Sequence, residues 1–417
     1  MPEDRKVKYF IYLLFLVLPL RESFALMIGE STPMRFGEIL MSICPILYYV
    51  YRDEYECKNN SISNVLFVFL LYSFIVGVFF AEHIQYSFAV KYFIRGFLFL
   101  FLIRIAENKY ITIPDNYFVL LFKYTVVIEL VFCVMQIMGI TLLFGKLLPY
   151  EASVTFGFKR LSGTASEPGY LIPIITPCIY FFISDFKKYR IWAILSFTIA
   201  ILSLSSFGFV AVIVVLLMKL IMSHSYSIIR NILVYGCSII FALFALSKVF
   251  PQINDLYEGV STKILAFSSS NEDDMDYSGA ERTENILVAT EAFFEGNAES
   301  KMLGQGIGAT AYYTENNVVM YLPAEEANNL YLSVMLNQGF IGLVLLLSIF
   351  FLVFKQTVSS AASMAFLAGI ITQLLQYFIV GNLWLYFFWI YIFFIIVINR
   401  QRGASANLSE EMKQMDE

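Results

Sequence analysis

Charge is what this sequence has least of. Lys, Arg, Asp and Glu together make up 15% of its 417 residues, where a soluble chain carries about a quarter. The shortfall excludes an ordinary soluble domain, and with a net charge of −5 no nucleic-acid partner is expected. Histidine is nearly absent: His83 and His224 fall in short turns between apolar runs, which removes the usual external general base. The five cysteines (Cys44, Cys57, Cys133, Cys178 and Cys237) are scattered, and all but Cys57 sit in apolar segments. No disulfide framework follows. With no His/Cys cluster and no paired acids beside the basic residues, neither a metal nor another cofactor is expected. The LGQGIG run at 303–308 lacks the Gly-Lys-Ser/Thr ending of a nucleotide-binding loop and reads as a turn. No internal repeat is visible of the kind that builds the inverted halves of many transporters.

What is present is apolar. The chain is 59% hydrophobic and 17% aromatic, with a mean hydropathy of +0.71, and runs of about 20 apolar residues recur along it. The expected fold class is an all-α polytopic membrane protein of about twelve spans with one large, partly helical periplasmic loop. The spans fall near 9–29, 37–51, 63–81, 86–104, 117–140, 168–184, 191–205, 207–222, 230–249, 329–354, 358–378 and 381–399. The first is preceded by Arg5, Lys6 and Lys8 but followed by no small-residue cleavage site, so it reads as a retained span. With the N-terminus inside, basic residues recur on the cytoplasmic side at nearly every crossing, and both ends are cytoplasmic. Ser203, Ser205, Ser206 and Gly208 predict a tight outer turn between two short spans. The organisation is then 1–249, nine spans with a periplasmic loop at 141–167; 250–328, the large periplasmic loop; 329–399, three further spans; and 400–417, a polar, acidic cytoplasmic tail expected to be disordered.

The large loop carries many acids and three basic residues, Lys263, Arg282 and Lys301. Ser278 to Glu281 has the S-x-x-E spacing of a capping box, and Ile286, Leu287, Phe293 and Phe294 follow with amphipathic helical spacing, fit to lie along a membrane. Asp273, Asp274 and Asp276 read as a solvated turn.

Chemistry concentrates at 159–171, KRLSGTASEPGYL. Pro168 suits a first helical position, which makes Glu167 a candidate cap facing the helix's free N–H groups. Arg160 and Ser162 lie upstream on a loop free to bend at Gly163. The bland alternative is an ordinary capped helix start, but an Arg and a Glu bracketing a glycine at a membrane boundary are costly to retain without a use.

Charges inside spans are costly too. Arg21 lies in the outer half of the first span, and Lys91 and Arg95, four apart on the fourth, share a helix face. With Arg160 and Arg282 these cations suit a diphosphate beneath the outer surface, because arginine forks pair with phosphate oxygens two at a time. The alternative is snorkelling, or pairing with Glu22, Glu30, Glu38 or Glu129; Lys123, near the inner end of its span, reads as snorkelling. Glu129 and Gln136 are seven apart on the fifth span and face one side, the commoner use of which is bonding to neighbouring helices.

Three stretches, RLSGTASEPGYL at 160–171, SGAERTENILVATEAFFEGN at 278–297 leading into LGQGIG, and ANNLYLSVMLNQGFIGLVLLL at 327–347, resemble the bacterial O-antigen polymerases of the Wzy type. These form the polymerase branch of a superfamily that also holds the O-antigen ligases. The resemblance implies a metal-independent, inverting GT-C-like glycosyltransferase of the inner membrane. It would move a growing glycan from undecaprenyl diphosphate onto the non-reducing end of a new lipid-linked repeat on the periplasmic face, with a chain-length regulator protein as a further partner. Arg160 and Arg282 match the family's loop arginines, which hold the donor diphosphate, and Glu167 matches its E-P-G acid. Arg95, Lys91, Arg21, Ser162, Gly163, Asn328 and Asn329 join them as substrate-binding candidates. Asn328 and Asn329 stand in the region where the ligases carry a catalytic histidine; asparagine cannot act as a base, which weakens the ligase alternative. In SLSSFG, Phe207 replaces an arginine frequent in related proteins.

Mechanistically, a diphosphate already leaves well, so the protein must hold it with preorganised cations and align an acceptor hydroxyl. Glu167 is the first candidate for the base, or it orients the hydroxyl or Arg160. The last three spans, rich in aromatics, are expected to face lipid and flank the polyprenyl chains. An exporter of polysaccharide or lipid-linked oligosaccharide would need polar residues through both membrane halves, whereas the in-span charges cluster toward the outer side. A purely structural membrane protein would not need Arg95 and Arg160.

Overall fold

Long stretches of Leu, Ile, Val and Phe satisfy their own backbone only as helices when water is excluded, and helices dominate the chain. The computed structural model describes residues 12, 14–15, 18, 20, 25–28, 32–50, 62–80, 86–107, 111–139, 153–155, 158–165, 167–223, 277–317, 327–357 and 360–416. The expected span at 230–249, both histidines, Arg21 and the Asp273–Asp276 turn lie outside these residues. Among the described residues, three helices are long and apolar enough to cross a membrane: Ile62–Phe79, Asp115–Met138 and Leu330–Gln356. The chain is a helical, membrane-embedded protein.

Two compact units divide it, one made of Met1–Leu121 with Tyr277–Glu417 and the other of Phe122–Asp276. The first includes an antiparallel pair, β1 (Ala25–Ile28) and β2 (Thr32–Arg35), in which Ala25 faces Arg35 and Ile28 faces Thr32. The end of the expected first span is therefore a strand, not helix; Gly29 and Pro33 both disfavour a continuous helix there. The second expected span is likewise two short helices, α1 (Phe36–Met41) and α2 (Ile43–Val50), parted at Ser42, whose hydroxyl donates to the Ile39 carbonyl at 2.6 Å. Next come α3 (Ile62–Phe79), α4 (Tyr86–Ala106) and α5 (Asp115–Met138).

The C-terminal part of the same unit holds α9 (Tyr277–Glu295), α10 (Ala298–Leu303), α11 (Ala309–Asn317), α12 (Leu330–Gln356), α13 (Ala361–Gln376) and α14 (Tyr386–Asp416). Helix α12 packs on α3, and α14 packs on α4 and α13. Helix α14 corrects two expectations. Its aromatic stretch faces protein rather than lipid: Tyr386 through Ile398 are all buried, with Phe99, Trp384 and Trp389 stacked ring on ring. The tail expected to be disordered continues the same helix to Asp416, as the helix-favouring Ala, Leu, Glu, Met, Lys and Gln of 404–416 allow in the absence of proline. Apolar exposure falls instead on α12, through Phe340, Val344, Leu347 and Phe351.

Helix α12 is broken. Gly339 takes φ 67°, ψ −172°, a backbone region open essentially to glycine alone, and the carbonyls before it lose their helical donors. The LGQGIG segment supplies replacements: the amides of Gln305 and Gly306 donate to the carbonyls of Leu336 (3.0 Å) and Asn337 (2.9 Å). The Tyr72 hydroxyl is shared between the carbonyls of Leu303 and Gln338, at 2.9 and 3.1 Å. Asn337 Oδ1 accepts the amide and hydroxyl of Thr310, at 3.1 and 3.2 Å, capping α11. The expected turn is thus a wedge seated in the break of α12. A side-chain carbon at Gly304 would lie 2.5 Å from Asn337 O and Gln338 Cα, and one at Gly339 would collide with the Met302 carbonyl. The apolar face of α9 (Ala289, Ala292, Phe293) is covered by Ala309, Ala327 and Leu336, while Leu287 and Phe294 are exposed. Helix α9 starts at Tyr277, so the expected capping box lies inside its first turn.

The second unit contains the rest of α5, a hairpin of β3 (Ser153–Thr155) and β4 (Phe158–Arg160), and α6 (Pro168–Ser184), α7 (Phe186–Leu202) and α8 (Ser206–Ser223). Helix α6 is its buried centre, packed on α7 and α8, with every residue from Leu171 to Phe182 buried. Helices α7 and α8 are parted by a tight turn at Ser203–Ser205, where Leu204 takes φ 47° and the Ser203 hydroxyl donates to the Ala200 carbonyl at 2.7 Å.

Candidate functional site

Helix α5 reverses the pattern of a soluble helix. Val127, Val131, Val134 and Ile137 are exposed, while Thr125, Glu129, Cys133 and Gln136 are buried along one stripe. Polar side chains turned inward from a membrane helix need partners, because hydrocarbon offers none. For Glu129 and Gln136 the loop that precedes α6 is a partner, where their spacing pointed to a neighbouring helix.

That loop accounts for five successive backbone N–H groups. Leu161 donates to the Leu202 carbonyl at the end of α7, at 3.2 Å. Ser162 and Gly163 both donate to Gln136 Oε1, each at 3.1 Å. Thr164 donates to Glu129 Oε2 at 2.8 Å, and Ala165 closes a turn onto the Ser162 carbonyl at 3.0 Å. Side chains complete the set: Gln136 Nε2 donates to Ser162 Oγ at 2.8 Å and to the Gly163 carbonyl at 3.2 Å, and the Thr164 hydroxyl donates to Glu129 Oε1 at 2.6 Å. Gly163 is required twice over. Its φ is +57°, and a side-chain carbon would collide with the Glu129 carboxylate. Three consecutive amides converging on side-chain oxygens form a nest of the kind that favours anionic acceptors; here its occupant is the protein's own carboxylate and amide.

Arg160 and Glu167 stand at the two ends of this held segment. Arg160 is half-buried and lies in β4, its Cα paired across the hairpin with Ser153, so it is a strand residue rather than a loop residue. Glu167 occupies the cap position of α6 in extended conformation (φ −135°, ψ 151°) with Pro168 first in the helix, as expected, but its side chain makes no capping hydrogen bond. Only its carbonyl participates, accepting from Tyr170 at 3.1 Å. Glu167 is exposed. Ser162 and Gly163 are buried and hydrogen-bonded to Gln136.

The remaining candidates belong to the other unit. Lys91 and Arg95 are half-buried one turn apart on α4, and Arg282 is half-buried in the first turns of α9. Asn329 caps α12, its Oδ1 accepting from Leu332 at 3.0 Å, and Asn328 takes a left-handed φ of 53°, a conformation that asparagine tolerates better than most residues. Both asparagines therefore have structural reasons to be where they are. Glu129 and Gln136 were legible as a shared helix face, but Thr164 carried no signal beyond being a small polar residue beside a glycine. Compared with known proteins, the chain matches no family model and no curated protein sequence.

Proposed function

We propose that this protein is a polymerase of O-antigen or a related surface polysaccharide, which transfers a growing glycan from undecaprenyl diphosphate to the non-reducing end of a lipid-linked repeat without a metal. The reading includes about twelve spans, residence in the bacterial inner membrane with both ends cytoplasmic, and a site open to the periplasm. Its membrane partners are the lipid-linked oligosaccharide and polysaccharide, with a chain-length regulator protein as a candidate.

The observation that carries the reading is the held segment between Arg160 and Glu167. Transfer from a diphosphate needs little covalent help from the protein. It needs a cation fixed where charge develops on the leaving group and a group that aligns the acceptor hydroxyl. A half-buried arginine and an exposed carboxylate, at opposite ends of a loop in which the amides of residues 161–165 are satisfied, supply such a pair. The resemblance of 160–171, 278–297 and 327–347 to Wzy-type polymerases adds Arg282 as a second cation for the diphosphate.

The test uses a polymerase-deficient host supplied with the matching glycan cluster. Wild type, Arg160→Ala, Glu167→Gln and Arg282→Ala are compared at equal membrane abundance on a lipopolysaccharide gel. The expected result is a ladder of chain lengths in the wild type that collapses to a single repeat in each variant. Loss of the single-repeat band, leaving bare core, would make the protein a ligase or an exporter. An unchanged ladder in all three variants would remove these residues from the site.

A further inference from the structure

We propose that Glu129 and Gln136 are positioning residues of the transfer reaction, setting Arg160 and Glu167 through the backbone between them. The inference rests on the polymerase reading and deepens it. Neither side chain is offered as touching substrate: Glu129 is fully buried and Gln136 is 4% exposed. Their hydrogen-bonding reach is directed at residues 162–164, with Gln136 using its oxygen for two amides and its nitrogen for a hydroxyl and a carbonyl. Glu129 holds the next amide and the Thr164 hydroxyl.

The geometry makes this a clamp rather than incidental packing. A loop usually takes its shape from its own turns or from solvent. Here three of five successive amides end on two side chains of one membrane helix, and a fourth ends on the Leu202 carbonyl of α7. Arg160 lies two residues before the clamped stretch and Glu167 three residues after it, so each has little chain in which to drift. Displacement of a reacting group by about 1 Å costs up to about a hundredfold in rate, and a cation preorganised for the leaving group loses its effect when it must reorganise. Glu129 contributes two acceptor oxygens to the clamp. A glutamine there can accept from the Thr164 amide with its oxygen and donate to the Thr164 hydroxyl with its nitrogen.

The experiment has two arms. In the complemented host, Glu129→Ala and Gln136→Ala at wild-type membrane abundance are each expected to shorten the ladder and lower polymer yield by roughly tenfold or more, and Glu129→Gln is expected to recover most of that loss. A Glu129→Gln variant as defective as Glu129→Ala would overturn positioning in favour of a charge or proton role, and unchanged ladders in both alanine variants would overturn the clamp outright. The second arm does not depend on activity. Glu167→Cys protein, with and without Gln136→Ala, is purified in detergent, and the rate of maleimide labelling is read on the peptide carrying position 167. A change of at least about threefold on adding Gln136→Ala is expected for a released loop, and equal rates overturn the inference. A wild type that makes no ladder overturns the polymerase reading, while the labelling arm still decides whether Gln136 holds the loop.

Discussion

The Glu129 carboxylate takes both the amide and the hydroxyl of Thr164, at 2.8 and 2.6 Å, joining a membrane helix to a residue 35 positions further along the chain. Carboxylate acceptors make the shorter and stronger class of hydrogen bond, and inside a bundle neither side has water as an alternative. The two residues should be energetically inseparable. In a double-mutant cycle of Glu129→Ala and Thr164→Val, followed by thermal unfolding in detergent, a coupling of about 1–3 kcal/mol is expected. Additive effects would show that the carboxylate is satisfied by something else.

Glycine 163 should tolerate nothing larger. Gly163→Ala strains a left-handed backbone and drives a methyl group into the Glu129 carboxylate, and a loss of about 2 kcal/mol or more is expected. Gly77, whose added carbon would meet nothing within 4 Å, is the matched control: Gly77→Ala should leave the melting temperature unchanged or slightly higher, since alanine is the better helix former.

The wedge in α12 makes a separate prediction. Tyr72→Phe removes one hydroxyl shared by two carbonyls and should cost about 1 kcal/mol. Gly339→Ala should cost about 2–4 kcal/mol, through backbone strain and collision with the 302 carbonyl together. Amide exchange of residues 303–310 should rise in the second variant more than in the first. Equal protection in both would mean that the segment does not depend on its seat.

Asn329 separates capping from substrate binding. As a cap its replacement by alanine should cost about 1 kcal/mol, and Asn329→Asp, an equally good cap, should restore both stability and the polymer ladder. If Asp restores stability but not the ladder, the side chain has a second duty toward substrate.

Much of the fold could be read directly from residue order. The helices at 168–184, 206–223 and 330–356 follow from apolar run length, and the break at 203–205 follows from its serines. What escaped has a common physical cause: backbone groups bonded to side chains or to other backbone leave little trace in residue type. Gln136 could be placed on a face with Glu129, but a helix face does not say whether a helix or a loop will cover it. Glu167 could be placed at a helix start, yet the lack of a capping bond depends on an angle that no sequence spacing encodes. The burial of the aromatic run in α14 depended on which helices surround it, a matter of topology and not of composition.

The seating of Gly304 against Gly339 also bears on how such a chain diversifies. Because this join is made mostly through carbonyls and amides, with the Tyr72 hydroxyl and the Asn337–Thr310 pair, the other side chains around it can drift while the seat survives. Among natural variants, the charged and aromatic positions of 277–317 other than Arg282 should wander in identity, and the two glycines should stand nearly still. A lineage could then change the side chains of this segment without rebuilding the helix in which it is seated.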